Sequence, residues 1–271
     1  MATNPSDVPP QPRDAAAVIL IRERAVSGEA EIFMLRRHSG ASFMARSYVF
    51  PGGTADPGDR DLEETAVREL FEEAGVLLGH GVVPSTSLTG WRRQVRDGAS
   101  LVALAASAGV RLDTETLHYF AHWITPSFER KRFSARFFIA KLPSGQTPSF
   151  DNLETVDQIW VTPEEALKRT RELRLPPPQL RTMYDLREAA ARGPSAVIEL
   201  SQRRACHPHP IMPRVMELPG DPPRLGLVLP WDPDYTTATG EGIEMPVDHP
   251  LARGPSRLIL DDDGWELVEF Q

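Results

Sequence analysis

The rhythm of apolar and polar positions changes several times along the chain, and the changes mark its elements. Residues 14–23 carry an unbroken apolar run rich in β-branched side chains, which predicts a buried strand. Residues 31–37 predict its hairpin partner across 26–29. A short strand at 48–50 ends at Pro51-Gly52-Gly53, a loop signal. Residues 62–74 follow a helical period, and 91–108 predict a second helical stretch interrupted at Gly98. Two strands, 118–125 and 135–141, are joined through 126–132. A strand at 155–161 leads into a helix at Thr162-Pro163-Glu164-Glu165, with Thr162 as N-cap and Pro163 as first helical residue. Residues 179–191 predict another helix, closed by Gly193-Pro194. Short strands follow at 196–200 and 225–229, then a last hairpin, 258–260 to 265–270, around 261–264. There is no internal repeat and no regular βαβ rhythm, so the pattern predicts a mixed α/β or α+β domain rather than a doubly wound sheet.

Composition narrows the class. The chain has 271 residues, 41% hydrophobic and 25% charged, close to the globular average, which argues against wholesale disorder or a fibrous repeat. The longest apolar run, 15–21, is far short of the roughly 18 residues a membrane helix needs. The polar, Pro-rich N-terminus lacks a basic-then-apolar signal pattern, and the single cysteine, Cys206, rules out an intrachain disulfide. The expected location is therefore cytoplasmic. A net charge of −8 argues against nucleic acid or an anionic membrane as partner. Prolines number 26, about twice the usual share; twelve fall between Pro194 and Pro255, and none lies in 15–47. This divides the chain into a disordered arm (1–13), a regular domain (14–193) and a Pro-rich C-terminal β extension (194–271) expected to pack on the core.

The candidate chemistry lies on one helix. At a helical period, Glu69, Glu72 and Glu73 fall within an arc of roughly 100°, opposite the apolar face of Ala66, Val67, Leu70, Phe71 and Ala74. Carboxylates so placed repel by a few tenths of a kcal/mol per pair, roughly, so the stripe calls for a cation. Arg68 can pair with Glu72, leaving Glu69 and Glu73 facing each other. Hard divalent ions such as Mg²⁺ take such oxygens together with substrate phosphates. A solvated acidic face is the competing reading, but it gives no reason for Gly52, Gly53 and Gly75.

The segment from Gly53 to Val76 resembles the Nudix box: Gly, five residues, Glu, seven residues, Arg-Glu-apolar-any-Glu-Glu-any-Gly-apolar. Arg68 to Val76 matches the second half throughout. In the first half, Asp59 stands where the pattern has Glu, with one residue more before Arg68. Leu35-Arg36-Arg37-His38, Phe43-Met44, Trp123-Ile124-Thr125-Pro126 and Trp160 to Leu167 extend the likeness over 14–186 and are similar to the coenzyme A diphosphatase branch, which includes a peroxisomal enzyme. The chain ends Glu-Phe-Gln, unlike a peroxisomal Ser-Lys-Leu address.

The resemblance implies an α+β fold, an α/β/α sandwich with a mixed sheet between helices. It implies a diphosphatase using Mg²⁺ or Mn²⁺ on a small-molecule nucleotide, and it admits a homodimer. Metal ligands would be Glu69, Glu72, Glu73 and the Gly53 carbonyl. Glu69, Glu72, Arg68 and a loop acid would serve catalysis; Asp151, Glu154 and Asp157 are the loop candidates, with Glu154 favoured as base. Arg36 and Arg37, at a strand end with His38, would grip phosphate, and Phe43 and Met44 would wall the pocket. The basic run Arg130-Lys131-Arg132 would seat the 3′-phosphate of coenzyme A through Arg132, or is simply solvated. The best-matched substrate is coenzyme A or an acyl derivative, cut to 3′,5′-ADP and a phosphopantetheine. ADP-ribose, NADH or a dinucleoside polyphosphate is the alternative, as is a catalytically silent nucleotide-binding regulator. Cys206-His207-Pro208-His209 lacks the second half of a zinc spacing, and Trp231 and Tyr235 are expected to anchor loops.

Overall fold

The computed structural model describes residues 9–40, 44–81, 83, 85–218, 223–262 and 264–269. Residues 1–8 of the expected disordered arm lie outside these described residues, as does Phe43. In chain order the first elements are β1 (Arg13–Glu23), β2 (Ala30–Arg37), β3 (Tyr48–Val49), β4 (Gly52–Thr54), α1 (Leu62–Ala74) and β5 (Gly79–His80). Next come α2 (Ser85–Arg96), α3 (Leu101–Ser107), β6 (Arg111–Leu112), β7 (His118–Ile124), β8 (Phe133–Lys141) and β9 (Thr155–Val161). Four helices follow: α4 (Pro163–Lys168), α5 (Thr170–Leu173), α6 (Pro177–Ala190) and α7 (Pro194–Ala205). The last strands are β10 (Pro210–Ile211), β11 (Arg214–Leu218), β12 (Arg224–Val228), β13 (Arg257–Asp261) and β14 (Gly264–Val268).

The main sheet is mixed. Its order is β10-β7-β8-β1-β2-β3, with β4 also on β1 and β9 also on β2. β1 is the hub because it is long enough to serve different partners at its two ends. Ile21–Glu23 pair with β2, whereas Ala15–Ala17 pair with β4. The sheet therefore splits along β1, and β4 enters the split. The segment 51–53, expected to be a loop, is thus partly a strand: its Gly-Gly-Thr has little β propensity, and the pairing with β1 imposes it.

Alternation along β1 builds two cores. Val18 and Leu20 face α1, where they meet Val67, Leu70 and Phe71; Ile19 and Ile21 face α6 and α7, where they join Met183, Leu186 and Val197. The result is helices on both faces of a mixed sheet, as the resemblance implied. The expected strand at 196–200 is helical in the structure, within α7. Its β-branched Val197 and Ile198 misled the pattern, while Pro194 in the first turn and docking against β7 and α6 settle the helix.

The chain beyond 194 is woven into the domain. β10 extends the main sheet in parallel with β7, and β11-β12-β13-β14 form an antiparallel sheet whose last strand packs on α5 and α6. Trp231 and Tyr235 are buried loop anchors, and the Tyr235 hydroxyl donates to the Met212 carbonyl at 2.7 Å. No helix among the described residues is long and apolar enough to cross a membrane.

Candidate active site

The acidic helix α1 is capped at both ends. Asp61, in extended conformation, accepts the Glu64 N–H at 2.8 Å, and Gly75 closes the helix at φ 69°, a left-handed position that suits glycine. Arg92 of α2 donates to the last carbonyls, of Glu72 (2.7 Å) and Glu73 (2.6 Å). A cation there both satisfies orphaned acceptors and opposes the helix dipole. The stripe of acids is consequently held at both ends.

Arg68 organises the stripe. Its guanidinium reaches Asp59 (2.9 Å), Glu69 (2.8 Å), Glu72 (3.1 Å) and the Thr54 carbonyl (2.9 Å). Burial alone would lower the Arg68 pKa, but its hydrogen bond to Asp59 and the neighbouring carboxylates hold it raised. The shortened acid Asp59 thus has a structural role: it also accepts from the Thr65 hydroxyl, and despite burial Arg68 keeps its carboxyl below the usual range.

Glu69 and Glu73 carry the electrostatic tension. Burial pushes Glu69 up to about 7; Arg68 opposes this, while Glu72 and Glu154 add to it. Burial, then the Glu69 charge, pushes Glu73 up to about 8, against the Gly52 N–H that it accepts at 2.9 Å. Two mutually repelling buried acids are a poor arrangement for stability and a good one for binding a cation.

The glycines before the helix let the backbone close on these acids. A Cβ on Gly52 would strike the Ala16 carbonyl of β1, and one on Gly53 would lie within 2.5 Å of Glu69 Oε1. Hence β4 passes directly beside the Glu69 carboxylate. Among the described residues, no group of three or more His, Cys, Asp or Glu side chains is gathered to hold an ion. Two carboxylates beside a bare backbone still suit Mg²⁺, which uses one or two protein carboxylates and completes its octahedron with water and substrate phosphate.

These acids open into a cleft of about 740 Å³. Glu69, Glu72, Glu73, Gly53 and Glu154 all line it, as expected from the sequence. Of the loop acids, Asp151 is occupied with folding: it accepts from the N–H groups of Leu153, Glu154 and Thr155. Asp157 accepts from the Tyr48 hydroxyl at 2.8 Å and pairs with Arg36 at 3.4 Å. Glu154 remains, fixed through its carbonyl, which accepts the His38 N–H at 2.9 Å.

The basic residues separate by strand alternation. Arg37 lines the cleft, and its buried Nε has no partner among the described residues; Arg36 is not among the lining residues. Arg132 also departs from its expected place: buried, it donates to the carbonyls of Thr125 (3.1 Å) and Pro10 (3.0 Å), while Lys131 lines the cleft. Met44 lines the cleft too, at φ 51°, an uncommon conformation for a residue with a side chain. At the other end of the chain, His249 meets the rings of His209 (5.5 Å) and His207 (6.2 Å). None of these three histidines is among the residues that line the cleft.

One wall of the cleft is not apparent from the sequence. Leu225, Leu227, Leu260 and Trp265, from the C-terminal sheet, line the same cleft as Glu69 and Glu73. The alternation Leu225-x-Leu227 and Leu258-x-Leu260 flags an apolar face, but nothing local says where that face lies.

Residues 57–188 match the family model described as the NUDT19 Nudix domain. Over that segment this chain is similar to a Nudix domain. It is 33% identical over 153 residues to human acyl-coenzyme A diphosphatase NUDT19, covering 49% of this chain and 40% of the relative. It is 29% identical over 183 residues to the putative nudix hydrolase 7 of Caenorhabditis elegans, covering 62% of this chain and 58% of the relative. The chain thus spans roughly half the length of these curated relatives. The crystal structure of a NUDIX hydrolase from Alicyclobacillus acidocaldarius superposes with a TM-score of 0.57 at 23% identity, covering 66% of this chain and 92% of that one. The fold is therefore the Nudix fold, and the branch resembled is that of the coenzyme A diphosphatases.

Proposed function

We propose that the protein is a divalent-metal-dependent diphosphatase acting on a nucleoside diphosphate linked to another moiety, with coenzyme A or an acyl-coenzyme A as substrate. The observation that carries the reading is the pair of buried, mutually repelling carboxylates of Glu69 and Glu73 against the bare backbone of Gly53. The likeness to acyl-coenzyme A diphosphatases supports the substrate class.

A bound Mg²⁺ or Mn²⁺ would supply charge neutralisation on the diphosphate and a lowered pKa for the attacking water. Glu69, Glu73 and the Gly53 carbonyl would hold it, with Glu72 as third acid. Arg68 keeps Glu69 and Glu72 oriented. Glu154 accepts the proton of the water as oxygen attacks phosphorus; the bond from that phosphorus to the bridging oxygen breaks, and the bridging oxygen leaves with the other phosphate. Arg37 meets a non-bridging phosphate oxygen, which gives its unpartnered Nε an acceptor. The products are 3′,5′-ADP and phosphopantetheine or its acyl derivative.

A screen of coenzyme A, acyl-coenzyme A, ADP-ribose, NADH and dinucleoside polyphosphates with Mg²⁺ or Mn²⁺ tests the reading. Formation of 3′,5′-ADP with the highest kcat/KM is expected. Preference for another member removes the coenzyme A assignment, and tight binding without turnover turns the protein into a regulator. The shortened Asp59 does not favour that last reading, because it holds Arg68 in place.

A further inference from the structure

The apolar wall opposite the acids has no role in cutting a diphosphate. In the antiparallel register Leu227 faces Leu258, Leu258 faces Leu267 and Leu260 faces Trp265, so with Leu225 these side chains share one face of the C-terminal sheet. One end of the face is core: Leu227 and Leu258 are buried, with Leu267 packed against the same cluster. The other end projects into the cleft. Leu225 and Leu260 are 39% and 37% exposed, and Phe128, 49% exposed, reaches the same space from the β7–β8 connection. Large apolar side chains left in water beside a catalytic site mark a ligand surface rather than chance exposure.

A second feature adjoins this wall. Gln179, in the first turn of α6, is buried and lines the cleft, and its Oε1 has no hydrogen-bond partner among the described residues. β14 packs on the same helix. A buried acceptor without a donor is costly and asks for one from a ligand.

We infer that the C-terminal sheet and the start of α6 seat the non-nucleotide arm of the substrate. Gln179 Oε1 accepts an amide N–H of that arm, and Leu225, Leu260, Trp265 and Phe128 cover an apolar chain at its end. The occupant is the acyl chain of an acyl thioester, since the face offers alkyl and ring carbon where a polar arm would need hydrogen bonds. This rests on the diphosphatase reading above, and it makes the acylated substrate preferred over the free thiol. Each methylene covered contributes up to about fourfold in binding.

The test is kcat/KM of the full-length protein for coenzyme A, butanoyl-coenzyme A and octanoyl-coenzyme A, with calorimetric binding of n-butyl and n-decyl diphosphate in parallel. The octanoyl substrate is expected to exceed the free thiol at least about tenfold through KM, and decyl to bind tighter than butyl diphosphate. Leu225→Ser and Leu260→Ser should collapse both ratios, Leu260→Met should keep them, and Gln179→Met should raise KM for all three coenzyme A substrates alike. Ratios near one in the wild type, or ratios unmoved in the serine variants, overturn the inference and leave the diphosphatase reading standing. An unmoved KM in Gln179→Met overturns the amide contact. If no coenzyme A compound is cut but the alkyl diphosphate ratio is large and lost in the serine variants, the reading fails and the apolar seat stands. A dimer that Leu260→Ser dissociates, with chain-length dependence unchanged, would assign the face to a second copy instead.

Discussion

Two regions of the chain face each other across one cleft, and they are built in opposite ways. The loop and helix from Gly52 to Gly75 put Gly53, Glu69, Glu72 and Glu73 into the cleft within about 25 residues of sequence, held by caps, a guanidinium hub and two bare glycines. The segment beyond Pro194 supplies Leu225, Leu227, Leu260 and Trp265 from three strands, placed only by sheet register and by docking on α6. The first region concentrates charge at the expense of stability; the second is apolar and stabilising wherever it meets the core. Chemistry is encoded locally, and the shape of the substrate space is encoded non-locally.

The largest expected effect strikes the first region. In Glu73→Gln, the amide oxygen can still accept the Gly52 N–H, but the charge is gone. Turnover should fall on the order of 10³-fold, about 4 kcal/mol of barrier. The metal-free protein should become more stable at pH 9, because burial and Glu69 already push Glu73 up to about 8 and its ionised form is the destabilised one. Raised folded pKa means stability present at low pH and lost as pH rises through about 8; the glutamine removes that loss. Full activity in this variant, with or without a change in Tm, would place the cation elsewhere.

The opposite signature is expected where the second region is anchored. Asp185 of α6 pairs with Arg181 (2.7 Å) and with Arg204 of α7 (2.9 Å), and Arg181 in turn donates to the carbonyls of Pro255 and Arg253. Asp185→Ala leaves two buried guanidinium groups without counter-charge and should cost about 3–5 kcal/mol, read by urea unfolding. Turnover per folded molecule should stay within about twofold of wild type, since none of the three residues lines the cleft. A large drop in turnover without a drop in stability would dissolve the division between the regions.

The same contrast explains what the sequence made legible. Strands β1, β2, β7, β8 and β9 and helices α1 and α6 follow from apolar period and punctuation, because each buries a continuous face. The gathering of Glu69, Glu72 and Glu73 on one face of α1 also follows, since their spacing is local. What was not legible depended on distant pairing. β4 is a strand because β1 needs a partner where it parts from β2, and α7 is a helix because β7 and α6 receive it. The exchange of Arg132 for Lys131 in the cleft is a question of strand-end orientation, which a one-residue shift reverses. The apolar wall is the extreme case: Leu260 and Trp265 meet only through the hairpin register, and Leu225 joins them through the sheet.

A smaller effect sharpens the local side. Asp59 is the acid that departs from the family pattern, yet it holds Arg68 and the Thr65 hydroxyl. Asp59→Asn should lower kcat about 10–100-fold by loosening the residue that orients Glu69 and Glu72. Asp59→Glu restores the acid of the pattern but adds a methylene to a filled site, so it should cost about 1–3 kcal/mol of stability rather than raise activity. A gain of activity in Asp59→Glu would mean that the inserted loop residue has not been accommodated as described.

The smallest effect lies on the seam between the regions. His122 of β7 pairs in register with Pro210 of β10, where the C-terminal segment joins the main sheet, and its Nε2 lies 2.9 Å from the Ser134 hydroxyl. Burial first, and the charge of Arg136 second, push its pKa down to about 4, with Asp14 opposing. Unfolded, the ring takes up a proton near pH 6.5. Between those values the unfolded chain binds the extra proton, so the stability His122 contributes is present above 6.5 and lost as the pH falls towards 4. Allowing for partial solvent access, the loss between pH 7 and pH 5 should be about 1–2 kcal/mol. His122→Gln keeps a partner for Ser134 and removes the titration, so its urea midpoint should change less over the same interval. If both proteins lose stability equally, the seam is not the acid-sensitive point, and the weakening belongs to groups elsewhere in the sheet.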